Sequence, residues 1–165
     1  MNVFSPEMIF IHPKINNNSQ TEIIRFLCSK LAGLNFINPE YTDEVIKREK
    51  VHPTGLPTLP YSSAVPHANP IGVKKTGIAL AVMDEPVPFY AMDNPKQSLD
   101  VNLVFLMAFL DGDQVRLLSW ISNILCDQDN VKKISEARSS EEAYKIIEPF
   151  LNSNNLKRGE NVTDR

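Results

Sequence analysis

The chain has 165 residues, 42% of them hydrophobic, and a formal net charge of −3. That length suits a single domain with a core that needs no disulfide or metal to hold it, and the mixed charges, with only the interrupted cluster Lys47-Arg48-Glu49-Lys50, argue against a nucleic-acid partner. The longest apolar run, Leu103 to Leu110, is far too short for a membrane-spanning helix, and Met1 to Phe10 lacks a basic region ahead of an apolar stretch, so a cytoplasmic protein is expected.

Met8 to His12 is a short apolar segment closed by Pro13 and the turn-rich Asn16-Asn17-Asn18, which predicts a first strand. Ser19 and Glu22 form a capping-box pattern ahead of the stripe Ile23, Leu27, Leu31 and Leu34, so a helix follows, with Gly33 as its expected stop. Asn38-Pro39 opens a second helix through Tyr41, Val45 and Ile46. It ends near Lys50, with cations where the helix dipole favours them.

From Pro53 to Pro70 the chain carries Pro53, Pro57, Pro60, Pro66 and Pro70, a density that predicts a stiff loop and neither a helix nor a regular central strand. Thr76 to Met83 and Val101 to Leu110 are nearly all apolar, as in strands buried on both faces, with Pro86 to Tyr90 expected as an edge strand between them. After Asp111-Gly112-Asp113 comes a helix with Leu117, Leu118, Ile121, Ile124 and Leu125 on one side and Asp113 as its expected N-cap. A short helix is expected over Asn130 to Ala137. A last one is capped by Ser139 with Glu142, striped by Ala143, Ile146, Ile147, Phe150 and Leu151, and bent or ended at Pro149.

The order strand, two helices, strands, three helices implies an α/β fold: a three-layer α/β/α domain with a mixed β-sheet over residues 1–151. Residues 152–165 form a polar tail, with Leu156 and Val162 as its sizeable apolar residues, and are expected to be poorly ordered. Cys28 and Cys126 both fall in helical patterns, the habit of buried, unpaired thiols in a reducing compartment.

The most informative stretch holds Arg48-Glu49-Lys50, then Pro53-Thr54-Gly55, then Ala64-Val65-Pro66-His67. A neutral imidazole is nucleophilic through one nitrogen and can be oriented through the other, so a histidine near a guanidinium and a hydroxyl has the parts to carry a phosphoryl group and neutralise it. Such transfer needs mainly alignment and charge neutralisation. It requires neither a metal nor another cofactor, and the three histidines show no metal-ligand spacing.

Together with the Leu103-Val104-Phe105-Leu106 strand running into a helix, these motifs resemble enzyme IIA of the mannitol/fructose superfamily in the bacterial sugar phosphotransferase system, and within it the galactitol-type branch. The resemblance spans roughly residues 5–150. It implies that His67 accepts a phosphoryl group from phospho-HPr and passes it to a cysteine of enzyme IIB, which serves the membrane enzyme IIC in the uptake of galactitol or a related polyol. It further implies that Arg48 pairs with the phosphoryl oxygens and that Thr54 donates a hydrogen bond. Where mannitol-type proteins carry a second active-site histidine, this chain has Gln114, whose amide can still donate to a phosphoryl oxygen and whose helix N-terminus would favour an anion.

Each of these residues also has a plainer role. Arg48 would be a solvated helix-end cation, Gln114 an ordinary first-turn residue, His52 an exposed loop imidazole and His12 a strand-end residue. A second functional reading is a regulatory protein of the same fold, phosphorylated on His67 and acting through protein contacts. A hydrolase is disfavoured because the chain lacks a Gly-x-Ser-x-Gly elbow.

Overall fold

Two apolar runs build the centre of the sheet. The computed structural model describes residues 3–153. In it the runs pair antiparallel as β4 (Gly77–Tyr90) and β5 (Ser98–Ala108), from Gly77 opposite Ala108 to Tyr90 opposite Ser98. Successive strand residues point to opposite faces, and every residue from Gly77 to Met83 is buried, so both faces of the sheet are covered. β1 (Ile9–Ile11) runs parallel to β4 on one side, while β3 (Ser62–Ala64) runs parallel to β5 on the other and takes β2 (Gly55–Leu56) as an antiparallel edge. The sheet is therefore mixed, in the order β1-β4-β5-β3-β2.

The helices are α1 (Gln20–Gly33) and α2 (Glu40–Val51) before the hairpin, then α3 (Gln114–Leu125), α4 (Gln128–Ser135) and α5 (Ser140–Ser153) after it. α1 packs on α2 and β4, while α3, α4 and α5 pack on one another, with α5 also against β1. This is the expected three-layer α/β order. The predicted N-caps at Ser19 and Ser139 are formed, their hydroxyls accepting from the amides of Glu22 and Glu142.

Several local expectations are corrected. α1 ends at Gly33 as expected, but the left-handed residue that closes it lies two positions on: Asn35 takes φ 66°, and Phe36 and Asn35 donate back to the carbonyls of Leu31 and Ala32. That is a Schellman arrangement, with asparagine filling the left-handed position. The Pro53 to Pro70 segment is not all loop, since β2 and β3 lie within it. Pro57 and Pro60 fall between those strands, where no ladder donor is needed. Pro86 to Tyr90 is no separate edge strand but the second half of β4, beyond a register shift between Val82 and Val87 that absorbs Pro86.

Asp113 sits at the start of α3, yet its side chain makes no cap bond. It accepts instead from the Thr76 hydroxyl and from Arg116. α4 begins two residues earlier than expected, capped by Asp127, and α5 continues through Pro149. Both cysteines are free, but only Cys28 is buried; Cys126 lies exposed at the end of α3. Of the tail expected to be poorly ordered, residues 152 and 153 complete α5, and residues 154–165 lie outside the described residues.

Candidate phosphoryl-transfer site

The site begins on α2, where Tyr41, Val45 and Glu49 recur every fourth residue and form a buried face. Arg48, beside that face, is half exposed, and its Nε is buried without a hydrogen-bond partner among the described residues. A buried guanidinium N–H left unpaired is a donor in waiting. Pro53 then turns the chain, and Thr54 folds back beneath the helix end. Its amide donates to Glu49 Oε2 and its hydroxyl to Glu49 Oε1, both at 2.8 Å.

Thr54 in turn receives the segment that carries the histidine. The Val65 amide donates to both the carbonyl and the hydroxyl oxygen of Thr54 at 3.3 Å. The amide of Met107 in β5 donates to the Pro66 carbonyl at 3.0 Å, and the Ala68 amide donates to the Tyr41 hydroxyl at 3.1 Å. That hydroxyl donates onward to the Met107 carbonyl at 2.7 Å. His67 thus lies on a backbone held from both sides, with only 5% of its surface exposed and the Phe109 ring 5.7 Å from its own.

The imidazole's state follows from one contact. His67 Nδ1 lies 2.7 Å from the Val65 carbonyl. A carbonyl only accepts, so Nδ1 carries the proton and Nε2 keeps a free lone pair. Burial lowers the His67 pKa, and the Arg48 charge lowers it further, against the Val65 carbonyl, which raises it. The ring is held in its neutral, nucleophilic form.

His67, Arg48, Thr54 and Gln114 all line one cavity of about 540 Å³, together with Val51, His52, Pro53, Leu56, Val65, Met92, Pro95, Leu118, Ile121 and Ser122. The proline-rich segment, the end of α2 and the start of α3 converge there. Gln114 enters as the exposed first residue of α3, and exposed His52 stands at the rim. Thr54 is 2% exposed, and its hydroxyl is bonded to Glu49 and to the Val65 amide. His12 lies elsewhere, in a surface hollow with Lys14, Asn18 and Asp84. Among the described residues, no group of three His, Cys, Asp or Glu side chains is placed to hold a metal.

Glu49 and Tyr41 were not anticipated as site residues. Burial pushes the Glu49 carboxyl up to about 7, against the lowering effect of the Thr54 hydrogen bonds and the Arg48 charge. A signal for it was available: a carboxylate on the apolar stripe set by Tyr41 and Val45 demands a buried partner.

Residues 2–149 match the family model described as "Phosphoenolpyruvate-dependent sugar phosphotransferase system, EIIA 2". The chain belongs to this EIIA 2 family. EIIA 2 proteins are phosphotransfer components, so the gathered histidine and arginine lie on a family scaffold for moving phosphoryl groups.

Among relatives, the chain is 31% identical over 147 residues to a nitrogen regulatory protein of Bradyrhizobium diazoefficiens, covering 87% of this chain and 90% of that one. It is 30% identical over 149 residues to the mannitol-specific EIICBA component of Vibrio cholerae, covering 88% of this chain but only 22% of that larger protein. A solved complex of enzyme IIA and phosphorylated enzyme IIB for mannitol from Escherichia coli superimposes with a TM-score of 0.74 at 25% identity. That match covers 88% of this chain and 97% of the solved one. No helix among the described residues is long and apolar enough to cross a membrane.

Proposed function

We propose that this EIIA 2 protein is a phosphocarrier that accepts a phosphoryl group from phospho-HPr on His67 Nε2 and passes it to a cysteine of an enzyme IIB. The observation that carries the reading is the Nδ1 contact to Val65, which leaves Nε2 as the nucleophilic nitrogen of a buried ring lining the same cavity as an unpaired Arg48 donor. In the first transfer the Nε2 lone pair forms a bond to phosphorus as the donor's phosphorus–nitrogen bond breaks, its electron pair returning to the donor imidazole. In the second a thiolate attacks phosphorus and the pair returns to Nε2. Arg48 neutralises the transferring oxygens, and the Gln114 amide donates to them from the start of α3. Thr54 acts by holding the loop, since its buried hydroxyl is bonded to Glu49 and to the Val65 amide.

The acceptor side draws support from the mannitol enzymes, one of them solved with phosphorylated IIB. Gln114 in place of a second histidine favours the galactitol-type branch, with uptake of galactitol or a related polyol through enzyme IIC and a cytoplasmic location. The domain assigned to this work is residues 1–151. A regulatory role is the second reading, favoured by the nitrogen regulatory relative that this chain matches over 90% of its length.

The test is to incubate the protein with phosphoenolpyruvate, enzyme I and HPr, and to follow intact mass. One acid-labile phosphoryl group mapped to His67 and absent from His67→Ala, then discharged by a galactitol-type IIB, is the expected result. Labelling of His67 without discharge to any IIB, with a partner bound only in one phosphorylation state, would replace transport by regulation. Unchanged labelling of a folded His67→Ala would overturn the site.

A further inference from the structure

One buried group in this region has no part in the transfer just described. Glu49 is 3% exposed at a position of α2 where the stripe of Tyr41 and Val45 calls for an apolar residue, and burying a carboxylate there is costly unless its oxygens are bonded. Among the described residues, both its hydrogen-bond partners belong to Thr54. The Thr54 hydroxyl oxygen accepts from the Val65 amide, and the Val65 carbonyl accepts a hydrogen bond from His67 Nδ1–H. The links form one continuous run: carboxyl, threonine, peptide, imidazole.

We propose that Glu49 is a positioning residue for the phosphoryl acceptor: through Thr54 it holds the Val65 backbone, whose carbonyl keeps His67 in the Nδ1–H tautomer with Nε2 as the nucleophile. The proposal rests on the phosphocarrier reading for its functional consequence, but the tautomer it sets is independent of any transfer. The run survives a change in the protonation of Glu49. The contact between Thr54 Oγ1 and Glu49 Oε1 is made by the hydroxyl donating to a carboxylate or accepting from a carboxylic acid. A glutamine has the same two-sided capacity, its oxygen taking the Thr54 amide and its NH2 donating to the hydroxyl oxygen. A leucine has neither.

The experiment uses the full chain with ¹⁵N-labelled histidine, comparing wild type, Glu49→Gln, Glu49→Leu and Thr54→Val. The His67 tautomer is read from long-range ¹H–¹⁵N couplings, and the rate of phosphoryl acceptance from phospho-HPr is measured on the same samples. In wild type, His67 is the Nδ1–H form. In Glu49→Leu the Nε2–H form becomes populated and acceptance falls by up to about a hundredfold, the range that misplacing a reacting group produces. Glu49→Gln restores both readouts relative to Glu49→Leu, which loss of packing alone would not predict.

Thr54→Val removes only the hydroxyl and carries the same expectation should Glu49→Leu fail to fold. A folded Glu49→Leu or Thr54→Val with the wild-type tautomer and rate overturns the proposal. A wild-type protein with Nδ1–H but no phosphoryl acceptance would instead overturn the phosphocarrier reading, and the tautomers of the variants would still decide the role of Glu49.

Discussion

Replacing Tyr41 with phenylalanine separates the stability of the His67 segment from its chemistry. The hydroxyl accepts from the Ala68 amide at 3.1 Å and donates to the Met107 carbonyl at 2.7 Å, in a side chain with no exposed surface. Removing it leaves the Ala68 N–H buried and unpaired, a loss of about 1–3 kcal/mol, and forfeits a second bond worth about 1 kcal/mol. The sum is about 3 kcal/mol, which for a chain of this length lowers Tm by roughly 6–12 °C. Urea unfolding followed by the fluorescence of buried Trp120 measures it, with an unchanged m-value showing that the transition remains comparable. The Val65 carbonyl is not bonded to Tyr41, so the His67 tautomer should stay as in wild type. A loss below about 0.5 kcal/mol, within ordinary surface-substitution scatter, would refute the two bonds.

Three further outcomes are expected. Arg48→Ala should cut the rate of phosphoryl acceptance by about 10²–10³, the usual cost of losing one charge-stabilising donor, and Arg48→Lys should recover only part of it; wild-type rates in Arg48→Ala would remove that residue from the reaction. Glu49 titrates near 7 in the folded protein against an ordinary value of 4.5, so between those pH values the native state holds a proton the unfolded chain has released. Wild-type stability relative to Glu49→Gln should therefore be greatest below pH 4.5 and fall by up to about 3 kcal/mol as pH rises through 7; a pH-independent difference in urea midpoints would show that the carboxyl is not buried as described. In Gly55→Ala the new Cβ would lie 2.5 Å from the Tyr90 carbonyl oxygen, a backbone atom that cannot yield without moving β4, so unfolding should show a loss of about 1–3 kcal/mol; an unchanged midpoint would mean that β2 is not packed there.

The features legible in the sequence are those whose causes are local. Ser19 and Ser139 announce helix starts because a capping hydroxyl reaches an amide three residues on, and the apolar runs of β4 and β5 require cover on both faces wherever they sit. His67, Arg48, Thr54 and Gln114 could be nominated from short motifs and a family likeness, and the fold gathers them around one cavity. Local signals misled where two residues compete for one role. Gly33 is the last residue of α1, yet Asn35 takes the left-handed position that glycine usually fills, because the hydrogen bonds from Asn35 and Phe36 back to the last turn fix where that position falls.

Tertiary structure decided what depends on segments distant in the chain. The strand order places β3 beside β5, parallel and dozens of residues apart in sequence, and that crossing brings Pro66 under the Met107 amide and Ala68 under the Tyr41 hydroxyl. Short motifs offer Thr54 as a phosphoryl donor, but the fold buries its hydroxyl against Glu49, and Glu49, one charge among several in the sequence, is turned inward by α2. The residue types available for phosphoryl chemistry were therefore set by sequence alone. The tautomer of His67 and the burial of its supporting carboxyl were set by packing, because a hydrogen bond's partner and a group's desolvation are properties of its surroundings.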